Sequence, residues 1–274
     1  MPTSPPKSTT NDAAQIPYPS ADEAHRLLQV AFDRLIKLLE NLKEGEWHLP
    51  TACTAWDVRQ IVAHQAGGYA SGTGYSEMFR QYLTPPRKGE LPEDAVNRRQ
   101  VGERADATPA QLIAELRQVG PTAMQKWAYQ FRLVKPIAIP HPVGGRLSMR
   151  HLMWVIHSRD TWMHRLDICR ATDRPFEQTA EHDGRIAALV MRDVAMQLQG
   201  KLGGRGLLFD LSGVAGGRFR VGEGEPAATL QMDILDFNIW ASGRCSYNEA
   251  HSRFTLSGGV AWAESILKQL LILY

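Results

Sequence analysis

The sequence lacks any apolar run near the ~18–20 residues that a membrane-spanning helix needs, so no membrane partner is expected. It has only three cysteines, Cys53, Cys169 and Cys245, scattered through 274 residues. They form neither a C-x-x-C pair nor a zinc-knuckle spacing, and their odd number fits reduced thiols and a cytoplasmic location. Charge of one sign is also missing. The formal net charge is +2, with acidic and basic residues mixed along the chain and no dense basic block, so no nucleic-acid partner is expected. The pairs Gly203-Gly204 and Gly216-Gly217 lack the strand–G-x-G-x-x-G–helix context of a dinucleotide site. Ser212 and Ser257 lack a nucleophile-elbow setting. No internal repeat is present. The start, MPTSPPKSTTNDAAQIPYPS, is rich in Pro, Ser and Thr with no apolar centre, so residues 1–19 are expected to be a disordered tail and not a signal peptide.

What remains is an ordinary globular composition, 43% apolar and 22% charged, long enough for two domains or one large one. The most informative stretch is Ser148 to Ala171, SMRHLMWVIHSRDTWMHRLDICRA, which has no Pro or Gly and is long enough for about six helical turns. Ser148 stands at the N-cap position, and Leu152, Val155, Ile156, Trp162, Met163, Leu166 and Ile168 follow helical steps. Into this helix are placed His157, Asp160 and His164, at steps of three and four that bring all three to one face. Imidazoles and a carboxylate on one face can bind a divalent metal. One helix rarely surrounds an ion, so a further ligand must come from elsewhere.

Earlier in the chain, Ala21–Leu42 is an amphipathic helix capped by Ser20 with Glu23. Thr54 and Asp57 form a second capping signature before WDVRQIVAH, whose His64 sits at the edge of the apolar face. The Gly67-Gly68 pair soon after costs a helix about 1 kcal/mol per residue relative to Ala, unless kept for close helix contact or for room beside a ligand. A charged, Pro-rich connection contains a short helix over 93–105, and Thr108 with Pro109 opens a helix running to about Tyr129. Four long helices over residues 20–171 with long connections predict a four-helix bundle. Beyond TDRP the composition changes to a helix over 181–198, strands at LLFDLSG, GRFRVG, PAATLQMDI and HSRFTLSG, a short helix at DFNIWASG, and a closing helix from Val260 to about Ile272. The chain is therefore expected to be α+β, with a bundle over 20–175 and a small α+β domain over 176–274.

In a bundle, metal ligands project inward from facing helices. His64 on the second long helix with Asp160 and His164 on the fourth supplies three N/O ligands and leaves a fourth position open, the pattern of a catalytic zinc site. The bland reading competes: an Asp and a His four apart on a helix are commonly a solvated pair or a structural hydrogen bond. His157 is either a fourth ligand or a packing or supporting residue. Asp167 either orients the His164 ring or pairs with Arg170. Trp56, Trp154 and Trp162 are expected in the bundle core.

The segments WHLPTACTAWDVRQIVAHQAG, RDTWMHRLDICRATDRP and PAATLQMDILDFNIWASGR resemble, in that order, the mycothiol-dependent maleylpyruvate isomerase family. The resemblance implies a DinB-like metal-binding four-helix bundle joined to a small domain related to sterol carrier proteins. It also implies zinc held by a His on the second helix and an acidic-x-x-x-His pair on the fourth, positions matched here by His64, Asp160 and His164. The isomerase carries Glu where this chain has Asp160. Asp is one methylene shorter, so the ion must sit nearer the helix or be reached through water. An active-site Arg of the family's small domain is matched by Arg244 in ASGRCS. The activity implied is that of a divalent-metal enzyme using mycothiol, a sugar-linked cysteine derivative, as thiol co-substrate. Its thiol would add to or transfer onto a small electrophile, as a maleylpyruvate-type cis–trans isomerase or as an S-transferase. The competing class is a non-catalytic module binding an apolar small molecule, with a structural metal.

Overall fold

Hydroxyl and carboxylate caps set the starts of the four long helices between residues 20 and 171. The structure, a computed structural model, describes residues 9–140, 146–272 and 274. Ser20 Oγ accepts from the Glu23 amide and opens α1 (Ala21–Leu39). The second helix, α2 (Val58–Ser71), is capped by Asp57 in a reciprocal box with Gln60, not by Thr54. Thr54 lies instead in the turn before it, which Thr51 ties down by donating from Oγ1 to the Trp56 carbonyl at 2.8 Å. Next come α3 (Tyr75–Tyr82), which the sequence reading did not anticipate, and α4 (Pro92–Gly102), which opens on Pro92. Helix α5 (Pro109–Gln125) starts at Thr108 in a box with Gln111, and a π turn, Lys126–Gln130, extends it to the expected end.

The helix that dominates the sequence runs as one path, here α6: Met149–His151, a π turn Leu152–Ile156, then His157–Ala171. Ser148 Oγ accepts from the His151 amide at 3.1 Å, as the N-cap position requires. A π turn admits one extra residue and so rotates the side chains after it relative to those before. The long helices α1, α2, α5 and α6 pack on one another. Their core includes Leu28, Phe32, Leu35, Ile61, Leu112 and Trp127, all under a tenth exposed. Burying one such side chain contributes about 1.5–3 kcal/mol. A two-stranded hairpin, Ala138–Pro140 with Arg146–Ser148, leads into α6.

The described chain divides into two compact units. One holds Pro19–Phe176 with Tyr274; the other holds the residues up to Tyr18 with Glu177–Ile272. The second unit carries a five-stranded mixed sheet in the order Thr10–Asp12, Gly217–Gly222, Gly206–Ser212, Pro226–Asp233, Thr255–Gly258. Helices His182–Leu198, Ile234–Ala241, Tyr247–His251 and Val260–Leu267 complete it. The last ends five residues before Ile272. The fold is α+β: a helical unit and a sheet unit.

One expectation is corrected here. Residues 9–19 are not part of a disordered tail. Thr10–Asp12 pairs in parallel with Arg218–Arg220, and Asp12 accepts from the Arg220 guanidinium at 2.6 Å. Edge pairing satisfies the backbone of a segment too short and polar to show a strand pattern by itself. Residues 1–8 of that stretch lie outside the described residues.

Candidate metal centre

The position of His64 follows from the cap of its helix. Asp57 fixes the start of α2, and His64 lies seven residues on, two turns along the face that meets α6. On α6, Asp160 and His164 follow the π turn at steps that bring them to the same point. Among the described residues, His64, Asp160 and His164 each offer a ligand atom within 4.8 Å of the others. The Asp160 carboxylate straddles the two rings, with Oδ2 3.5 Å from His64 Nε2 and Oδ1 3.3 Å from His164 Nε2. The imidazoles meet edge to face, 5.1 Å between centroids.

Each of the three side chains has its own support. His64 Nδ1 lies 2.8 Å from Gln100 Oε1 on α4. His164 Nδ1 lies 3.1 Å from Asp167 Oδ2. Gln65 Nε2 donates to Asp160 Oδ2 at 2.5 Å, while Gln65 Oε1 accepts from Thr161 at 3.0 Å. Both rings therefore have their Nδ1 engaged and turn Nε2 toward the carboxylate. That is the outer support expected of metal-binding imidazoles. Of the readings open for Asp167, its contact with the His164 ring is present.

The electrostatics agree with a site built to hold charge. Burial would raise the Asp160 pKa, but His164 and His64 beside it hold the carboxyl well below its usual range. Burial would lower the pKa of His164, yet Asp160 and Asp167 raise it to about 9. The donor set, two imidazole nitrogens and a carboxylate with no thiolate, fits zinc or another N/O-binding divalent ion.

The other residues singled out in the sequence do not join the three ligands. His157 stacks flat on Trp127, 3.8 Å between centroids, and its Nε2 is buried without a hydrogen-bond partner among the described residues. Burial, partly offset by Asp160, lowers its pKa to about 4. Trp56 is not a core residue as expected. It is half-buried, stacks on the His64 ring at 4.8 Å and tilts against His164 at 5.9 Å, so it covers both imidazoles. Trp154 is likewise half-buried and donates to the Trp127 carbonyl at 3.0 Å, whereas Trp162 is in the core. Arg244 belongs to the other unit, just past the helix Ile234–Ala241, half-buried, its amide donating to the Ile239 carbonyl at 3.0 Å. Asp236, on that helix, accepts from Arg253 at 2.9 Å.

Gln65, Gln100 and Trp56 were not found from the sequence. Gln65 had a faint signal, being adjacent to His64; Gln100 had none, because it comes from a helix 36 residues away.

The family model for the mycothiol maleylpyruvate isomerase N-terminal domain matches residues 28–169, just over half of the chain. No curated protein matches the sequence. Among solved structures, the mycothiol-dependent maleylpyruvate isomerase is similar over 90% of this chain and 96% of its own, with a TM-score of 0.57 at 14% identity. A histidine-to-alanine variant of that isomerase has the same coverage and TM-score at 13% identity. At such identity the likeness speaks for the fold, and it extends across both units. With the match running from α1 to the end of α6 and enclosing His64, Asp160 and His164, the chain belongs to the mycothiol maleylpyruvate isomerase N-terminal domain family.

Proposed function

We propose that this protein is a divalent-metal, mycothiol-dependent enzyme that activates a thiol for addition to, or transfer onto, a small electrophile. The observation that carries the reading is the convergence of His64 Nε2, His164 Nε2 and the Asp160 carboxylate, with both Nδ1 atoms taken up by other side chains. A divalent ion held by these residues supplies the Lewis acidity that favours an ionised thiol near neutral pH. The relatives with this fold are described as mycothiol-dependent isomerases, which supports mycothiol as the thiol.

The chain's own residues have separable roles. Asp167 and Gln100 orient the two rings, Gln65 orients Asp160, and Trp56 screens the rings from water. Arg244 is proposed to hold an anionic group on the electrophile through its planar fork. The thiol loses its proton and sulfur attacks the electrophilic carbon. With an alkene conjugated to a carbonyl, the π electrons move to the carbonyl oxygen and the former double bond rotates. Expulsion of the sulfur then restores the alkene, giving cis–trans isomerisation. Protonation of the neighbouring carbon instead retains the S–C bond, and loss of a leaving group gives thiol exchange. The apolar-binding-module reading gains no support from a buried carboxylate between two imidazoles. Incubation of the zinc-loaded protein with mycothiol and maleylpyruvate, alongside a panel of electrophiles, tests the proposal by mass spectrometry and absorbance. Thiol-dependent isomerisation or conjugation is expected. No reaction with any thiol–electrophile pair, from protein that binds zinc, would overturn it.

A further inference from the structure

A closed hydrogen-bond path leaves α2 at Gly67 and returns to it at His64. Gln81 Nε2 donates to the Gly67 carbonyl at 3.0 Å and to Glu77 Oε1 at 2.7 Å. Gln100 Nε2 donates to Gln81 Oε1 at 2.8 Å, and Gln100 Oε1 meets His64 Nδ1 at 2.8 Å. The path is buried: Gln81 is 0% exposed, Gln100 3% and His64 9%.

Its direction is set by its first link. A backbone carbonyl has no proton to give, and the Glu77 carboxyl is held below its usual pKa, first by Arg80. The Gln81 group facing both must therefore be the amide nitrogen, which leaves its oxygen to accept from Gln100. The Gln100 oxygen is then left for His64 Nδ1, which has to be the donor. Reversing the chain would set Gln81 Oε1 against two acceptors in a buried site, where unpaired polar groups are costly.

We propose that Gln100 and Gln81 are positioning residues that fix a proton on His64 Nδ1, so that Nε2, 3.5 Å from Asp160 Oδ2, is the nitrogen left to face the Asp160–His164 cluster. An amide does this without adding charge, whereas His164 is oriented by a carboxylate. Gly67 makes the approach possible, since a Cβ there would lie 2.5 Å from Gln100 Cβ. The functional consequence rests on the metal reading above; the tautomer does not.

The test uses 15N-histidine-labelled, metal-stripped full-length protein, with His64 assigned by comparison with His64→Ala. Long-range proton–nitrogen spectra are expected to show His64 Nδ1 protonated, with or without a second proton on Nε2 opposite Asp160. A wild-type protein with Nε2 protonated and Nδ1 bare overturns the proposal, whatever the variants do. Gln100→Met removes the acceptor at similar length, and Gln81→Met removes only the far link. Both are expected to shift His64 toward mixed tautomers, and Gln100→Met to weaken zinc binding about 10–100-fold. His64 signals unmoved in both variants would reduce the glutamines to packing and overturn the relay. The Nδ1–H form in a protein that binds no zinc would uphold the relay and sink the metal reading alone.

Discussion

His164 Nδ1 sits 3.1 Å from Asp167 Oδ2, with both side chains almost wholly buried. An ionised carboxylate only accepts, so Nδ1 carries a proton toward Asp167, and Nε2, 3.3 Å from Asp160, is the nitrogen that a metal would take. Asp167→Asn keeps the shape but removes the charge. Zinc affinity should fall about 10–100-fold by competition with a chelating dye. An unchanged affinity would leave the Asp167–His164 contact a packing feature.

Zinc and protons should compete at His164. Zinc needs the neutral imidazole, and in the metal-free protein that ring titrates at about 9. Apparent zinc affinity should therefore climb about tenfold per pH unit below that value and level off above it. Linkage gives the matching stability signs. The His164 pKa is raised above its usual value near 6.5, so its contribution to metal-free stability is complete below that value and lost as pH rises through about 9. Asp160 is depressed below 3.8, so its contribution is present above that value and lost on acidification through the lower folded pKa. Zinc affinity independent of pH between 6 and 9 would remove His164 from the ligand set.

Asp160→Asn should lower zinc affinity at least about tenfold, the loss typical even of supporting partners. It should also shrink the rise in melting temperature that zinc gives the wild type, because stabilisation by a ligand grows with its affinity. Equal zinc binding by Asn and Asp would place the carboxylate outside direct contact.

How far the sequence could be read depended on whether a signal was local. Caps at Ser20, Thr108 and Ser148 lie within three residues of the amides they satisfy, and each is found where expected. The Asp160–His164 step is helical arithmetic, and the facing helices of a bundle brought His64 to it before the family resemblance agreed. Gln100 lies between Arg99 and Val101 in a charged stretch, so nothing near it marks a side chain that turns inward to an imidazole 36 residues earlier. Trp56 read as core because aromatic residues usually are, yet its turn places it flat on a histidine ring. The Gly67-Gly68 pair showed that something had to be accommodated; only the packing shows that Gly67 makes room for α4, whereas Gly68 faces open space. The strand Thr10–Asp12 exists through pairing with residues more than 200 positions away.

Gly67→Ala should test that packing directly. The added methyl would overlap Gln100, a small-to-large change that typically costs about 1–3 kcal/mol. Gly68→Ala, with nothing within 4 Å, should be neutral or slightly stabilising. Thermal unfolding of the pair decides, and equal melting temperatures would contradict the close approach.

Arg244→Ala should keep its zinc and lose about 10²–10³ in turnover, the usual effect of removing one donor that stabilises developing charge. Arg244→Lys should recover only part, since an ammonium lacks the bidentate fork. A stable, zinc-loaded Arg244→Ala protein with unchanged turnover would confine this Arg to a structural role.

Zinc titration of the stripped wild type beside His64→Ala and His164→Ala addresses the metal centre itself. Wild-type protein should take up one equivalent, and each alanine variant should lose most of it while its far-ultraviolet helical signal stays intact. Folded variants that bind zinc as tightly as the wild type would show that His64, Asp160 and His164 are not a metal site.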